Sequence, residues 1–163
     1  MEQLPINPIA IPIAAVAALV IGFLWYNPKV FGNAWMKASG MTEEKMKGGN
    51  MAIIFGFALL FAVLLASLLM QFTNHQWGAI GMVGGEPEKA KESFNLFMKD
   101  YETAYRTFKH GAFHGVLFGL FGALPIIGTN ALFERKSAKY IFINAGYWIV
   151  TLAVMGAILC GWK

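Results

Sequence analysis

Residues Met51–Phe72 read MAIIFGFALLFAVLLASLLMQF, with no Asp, Glu, Lys or Arg among them. About 20 such residues, wound as an α-helix, cross the roughly 30 Å hydrocarbon core of a bilayer. One charge at the middle of such a helix would cost about 2.5–3.5 kcal/mol, so a clean run of this length reads as a transmembrane helix. Three more charge-free runs accompany it: Ile9–Tyr26, Ala112–Phe133 and Tyr140–Trp162. The expected fold is all-α, a single integral membrane bundle of four transmembrane helices formed by residues 1–163.

Composition agrees with that expectation. Only 13% of residues are charged, about half the share of an ordinary soluble domain, and the spans use roughly half the chain. No separate soluble domain is expected. The net charge of +4 does not point to nucleic acid, because the basic residues sit in loops beside the spans. There they set topology and meet anionic lipid headgroups. The lone Cys160 can form no internal disulfide and reads as a small apolar core residue. The first span ends Trp25-Tyr26-Asn27-Pro28 rather than in small residues, and no Lys or Arg precedes it. It therefore reads as a permanent helix and not a cleaved signal, with Pro5, Pro8 and Pro12 grouped at its start.

Lys29, Lys37, Lys45 and Lys47 lie in the first loop, and Arg135, Lys136 and Lys139 in the short third one. The positive-inside rule then predicts both termini outside and these loops in the cytoplasm. The middle loop has its own structure. After Gly78, Gly81, Gly84 and Gly85, the aromatic stripe Phe94, Phe97, Tyr101, Tyr105 and Phe108 predicts an extramembrane amphipathic helix over about 87–110. It would lie on the membrane surface or run into span three, either capping the bundle or offering a lid or docking face. Trp25, Tyr26, Trp35 and Tyr140 would form an interfacial belt on one side, and Trp77 and Trp162 on the other.

Small residues recur four apart in every span: Ala10, Ala14, Ala18 and Gly22; Ala58, Ala62 and Ala66; Gly111, Gly115, Gly119 and Ala123; Ala153, Ala157 and Gly161. Such ladders let helix backbones approach closely, within the chain or against a partner. Pro125 predicts a kink that frees a carbonyl near Leu120–Phe121.

One constellation could carry chemistry. His110 and His114 share a face at the start of span three, and His75 lies just beyond span two. If those spans are antiparallel neighbours, three imidazoles meet at one membrane surface. They could hold Zn²⁺ or another transition metal, and two could ligate haem. Glu92, Asp100 or Glu102 would be available to add a carboxylate. The pattern lacks the Glu that follows the first His in the zinc metalloprotease motif. Otherwise His110 sits among headgroups and His114 bonds within the bundle. Near the other surface Thr129, Asn130 and Asn144 form a second polar set. Ser39, Ser67, Ser93 and Ser137 have no nucleophile partners, and the Gly78–Gly85 cluster lacks the Lys-Ser/Thr ending of a phosphate loop.

Two stretches carry a resemblance. Gly22-Phe23-Leu24-Trp25-Tyr26-Asn27-Pro28, continuing to Phe31-Gly32-Asn33-Ala34-Trp35-Met36, resembles the first-helix signature of a bacterial family known as domain of unknown function 1761. Asn130-Ala131-Leu132-Phe133-Glu134-Arg135-Lys136-Ser137, running into Ile143-Asn144-Ala145-Gly146-Tyr147-Trp148, resembles its last two helices. The resemblance implies a four-helix protein of the bacterial cytoplasmic membrane and brings no activity with it. The middle loop looks particular to this member. The expected function is that of a non-enzymatic scaffold or accessory subunit in the lipid bilayer, self-associating or bound to another membrane protein. The alternative is a small-ligand or metal-binding membrane protein, a transporter or redox component, built on the histidines.

Overall fold

The computed structural model describes residues 7–163, so Pro5 lies outside the described residues. All regular structure in them is helical. The chain runs through α1 (Ala10–Trp25), a wide turn at Pro28–Gly32, α2 (Asn33–Ser39), α3 (Glu43–Lys47), α4 (Met51–Thr73) and α5 (His75–Met82). After a short turn at Pro87–Lys89 come α6 (Glu92–Tyr101), α7 (Phe108–Phe118), a second wide turn at Gly119–Ala123, α8 (Leu124–Phe133) and α9 (Ala138–Gly161).

Polar residues open three of the long helices. The side chain of Asn50 accepts from the amide of Ile53 at 3.3 Å, Thr107 from His110 at 3.2 Å and Ser137 from Tyr140 at 3.3 Å. Each cap satisfies an amide that the helix leaves bare, worth about 0.5–2 kcal/mol. Among the described residues α4, the rod Phe108–Phe133 and α9 are long and apolar enough to cross a membrane. At 16 residues, α1 measures about 24 Å. It reaches the required length only together with Pro28–Ser39, to which it is bent by 52°.

The expected kink at Pro125 takes another form. Proline has no amide to bond the carbonyl four residues back, and the wide turn at Gly119–Ala123 absorbs the mismatch. The rod therefore continues as one 26-residue element.

The helix expected over 87–110 is shorter and is broken before span three. Tyr105 adopts a left-handed conformation, φ 61°, which no α-helix accommodates. The side chain of Gln76 donates to the carbonyls of Tyr101 (2.9 Å) and Ala104 (3.0 Å), and Thr107 restarts the helix as a cap. Phe108 consequently belongs to the apolar rod and not to the amphipathic stripe.

At the centre stands α9, in contact with α1, α4, α7 and α8. Its Leu152, Met155 and Leu159 meet Ala10, Ala14, Ala15 and Ala18 of α1 and Ala62, Ala66 and Leu69 of α4 in one core. Against α7 the approach is backbone to backbone. A Cβ on Gly111 would collide with the Gly156 carbonyl and lie 2.6 Å from Cys160 Cβ. On Gly115 it would meet Ala153 Cα at 2.7 Å, on Gly119 Ile149 Cα at 2.7 Å, and on Gly161 the amide of Phe108 at 2.6 Å. Gly22 is looser, facing the Tyr147 hydroxyl at 3.5 Å, and Ala157 is half-buried.

At the opposite end of α9 the two segments of the resemblance meet. Trp25 Nε1 donates to the carbonyl of Ile143 at 3.0 Å, and the Tyr26 hydroxyl to Asn144 Oδ1 at 2.9 Å. Asn144 Nδ2 in turn donates to the Tyr140 carbonyl, so Asn144 serves this latch rather than a set with Thr129 and Asn130. Trp25, Tyr26 and Trp35 are half-buried in it, with Tyr26 against Trp35 at 5.5 Å between ring centroids.

Candidate metal centre

The corner between α4 and α5 positions the first histidine. Asn74 leaves the helix with φ −111° and ψ 98°, and its Nδ2 donates to the Leu159 carbonyl at 3.4 Å. His75 follows as the first residue of α5. The other two stand one turn apart on α7, whose register is set by the Thr107 cap below and the glycine contacts with α9 alongside. The structure thus brings His75, His110 and His114 together, with one ring nitrogen from each within 4.8 Å of the others. His75 Nε2 and His110 Nε2 are 2.9 Å apart, a hydrogen bond in which one nitrogen carries the proton and the other accepts. His75 is exposed and the other two half-buried. Tyr105 stands over His110 at 5.1 Å and Phe113 over His114 at 5.8 Å between ring centroids.

Glu92, Asp100 and Glu102 stay outside the group, because the chain turns away between α6 and α7. The donor set is therefore purely imidazole. That suits Zn²⁺ and its late first-row neighbours rather than oxygen-seeking Mg²⁺ or Ca²⁺. Nitrogens bound to tetrahedral Zn²⁺ at about 2.0–2.1 Å stand about 3.3 Å apart, so shifts of a few tenths of an ångström to about 1.5 Å would close the site. Haem fits less well. Ring centroids separated by 4.5, 4.9 and 5.1 Å leave no room for a porphyrin plane between any two of these imidazoles.

Beside the triad lies an unusual set of buried polar groups that sequence reasoning missed. Arg106 is 3% exposed and donates from Nε to the Cys160 carbonyl at 3.0 Å, while its Nη2 has no partner. Burial pulls the guanidinium below the ordinary arginine value, although the nearby Cys160 thiol opposes the shift. Its charge faces the C-terminal end of α9, where exposed carbonyls favour a cation. Cys160 Sγ lies 3.3 Å from the carbonyls of both Thr73 and Tyr105, tying α9 to the corners on either side. The only sequence signal for these residues was that Asn74, Gln76 and Arg106 are polar and adjoin apolar runs. Nothing in the pattern said that they turn inward.

An apolar cleft of about 290 Å³ opens between α5 and α6 and shares His75 with the triad. No curated protein and no solved structure matches the chain. A family model does: residues 9–160 match the one described as protein of unknown function (DUF1761), and the chain belongs to that family.

Proposed function

We propose that this chain is a multi-pass membrane protein that binds a transition-metal ion of the Zn²⁺ class through His75, His110 and His114, with one coordination position left for a further ligand. The observation that carries the reading is the convergence of three imidazole nitrogens within 4.8 Å, from residues 39 positions apart in sequence. Three neutral imidazoles with an open fourth position are a donor set that binds zinc without closing it off. The membrane reading is supported by outward faces rich in Val20, Phe57, Phe61, Leu64 and Phe121, all exposed, which in water would form aggregation-prone patches. In a bacterial inner membrane with both termini outside, the triad would face the external side.

A self-associating scaffold or accessory subunit is the rival. Its motives were the lack of a catalytic pattern and the small-residue ladders, some of which would face a partner. The contacts of Gly111, Gly115, Gly119 and Gly161 within the chain account for those glycines without one, so the metal reading has the more specific support.

The test is titration of Co²⁺ and Zn²⁺ into EDTA-treated protein in detergent, with cobalt absorption reporting geometry. A single ion should bind with a spectrum of nitrogen-rich, low-coordinate cobalt. The His110→Ala/His114→Ala variant should bind at least about 100-fold more weakly, since even losing an outer-shell partner costs 10–100-fold. Unchanged binding in that variant and in His75→Ala would overturn the assignment. So would the absence of any stoichiometric ion at micromolar metal.

A further inference from the structure

The cleft between α5 and α6 is walled by Ala79, Phe97, Met98 and Tyr101, with His75 and Gln76 at its α5 side. The rings of Phe97 and Tyr101 lie 4.8 Å apart, and Met98 is buried. Nearly all of this lining is hydrocarbon or aromatic. Its exception is Gln76, whose residue is 6% exposed. Both acceptors of its amide, the Tyr101 and Ala104 carbonyls, can only receive hydrogen bonds, so the NH₂ group must be the end that faces them. The orientation of the amide is thereby determined, and Oε1 is the free end. That oxygen is buried and has no partner. A buried acceptor without a donor is costly, about 1–3 kcal/mol, and a ligand bearing an O–H would relieve it.

We infer that this cleft is a binding site for a small, largely apolar aromatic molecule carrying a hydroxyl group, which donates to Gln76 Oε1 while its ring lies against the wall formed by Phe97, Met98 and Tyr101. The volume is at the lower end of small-molecule sites, which excludes a whole phospholipid and fits one substituted ring. Aromatic walls favour an aromatic occupant through offset stacking. The assignment goes beyond the metal reading and does not depend on it, because Gln76 and the cleft walls bind no ion. The two meet at His75 and at Tyr105, which lines the cleft and stands over His110.

The experiment uses EDTA-treated full-length protein and a photoreactive probe, a diazirine-bearing phenol, compared with its methyl ether. The ether keeps the ring and loses the donor. Illumination followed by peptide mapping should place saturable label on His75–Met82 and Glu92–Tyr101, with the phenol labelling about tenfold more than the ether. Tenfold corresponds to about 1.4 kcal/mol, within the range of one satisfied buried acceptor. Ala79→Leu, which fills the cleft and leaves the Gln76 clamp alone, should cut the labelling about tenfold. Gln76→Leu should abolish the preference for phenol over ether. Equal labelling by phenol and ether would overturn the inference, as an acyl chain or detergent tail would then serve as well. Label on the outer face of α4 equal to that in the cleft would overturn it also, as would labelling unaffected by Ala79→Leu. Because the metal is absent throughout, failure here leaves the metal reading standing, and failure of cobalt binding leaves this result standing.

Discussion

Gly111→Ala should both loosen the bundle and weaken the metal site. A methyl group at Gly111 would fall 2.6 Å from Cys160 Cβ and closer still to the Gly156 carbonyl, where ordinary van der Waals contact begins at 3.4 Å. Backbone cannot rotate aside as a side chain can, so α7 and α9 must separate by about 0.8 Å or more. Overpacking of this kind costs about 1–3 kcal/mol, less up to about 1 kcal/mol recovered because Ala is the better helix former. A net loss of about 1–2 kcal/mol is therefore expected. Gly156→Ala strikes the same contact from the other side, against the Gly111 carbonyl. Once either methyl has opened the gap the second adds little, so the double variant should cost clearly less than the sum of the two. Gly56→Ala supplies the opposite sign, since nothing lies within 4 Å of its Cβ position and only the helix-propensity gain remains. Because His110 adjoins Gly111, the separation also carries His110 and His114 away from His75, and cobalt affinity should fall about ten- to a hundredfold, as for a disturbed outer shell. Unfolding in mixed micelles and the cobalt titration together make the measurement. A Gly111→Ala protein as stable as the parent, or one whose loss adds fully to that of Gly156→Ala, would refute the backbone-contact reasoning.

Two further outcomes follow from the same geometry. Metal ions and protons compete for imidazole nitrogen, so cobalt uptake should weaken as pH falls and recover as it rises; a flat profile from pH 5 to 8 would exclude imidazole ligands. Arg106→Met should destabilise by about 1–2 kcal/mol in detergent unfolding, because it strips the Cys160 carbonyl of its charged donor, and part of the loss is offset by removing the unpartnered Nη2. Since burial lowers the Arg106 pKa, its charge opposes folding at every pH below the folded value. That penalty is fully present below the folded value and is recovered as pH rises from there towards the ordinary arginine value, so any pH dependence of the effect of Arg106→Met should lie on the alkaline side, where the parent gains on the variant.

Where the sequence was legible, a strong physical constraint acted on single residues. Exclusion of charge from hydrocarbon marks Met51–Phe72 without reference to any other segment, and the helix Met51–Thr73 begins at the same residue. The pairing of His110 with His114 is likewise a matter of helical period alone. What was illegible depended on partners distant in sequence. The aromatic stripe predicts a helix through Phe108, but the left-handed turn at Tyr105 comes from a Gln76 clamp about 25 residues upstream and from Arg106 reaching α9. Local periodicity holds no record of those contacts. Trp25 and Tyr26 similarly read as a headgroup belt, because an interfacial aromatic and one that donates across a bundle look the same until Ile143 and Asn144 are seen opposite.

The two ends of α9 divide the labour of the fold. Asn144 and Cys160 are 16 residues apart on it, about 24 Å. The residues that carry the family resemblance cluster at the Asn144 end, where Trp25, Tyr26 and Tyr147 donate to Ile143, Asn144 and Ala18. That latch is fully hydrogen-bonded and has no open coordination, so it holds α1 on α9 and offers no reactive group. His75 and His110, the cleft and the unpartnered Gln76 oxygen all gather at the other end, largely on the middle segment outside the signature. Imidazole ligands are ordinarily aimed by outer-shell carboxylates or carbonyls, yet here His110 has His75 as its hydrogen-bond partner. Orientation must come instead from the rings of Tyr105 and Phe113 and from α7 resting on α9 through Gly111 and Gly115. The glycine ladder, which as sequence says only that helices meet closely, is on this account what keeps His110 and His114 within reach of His75.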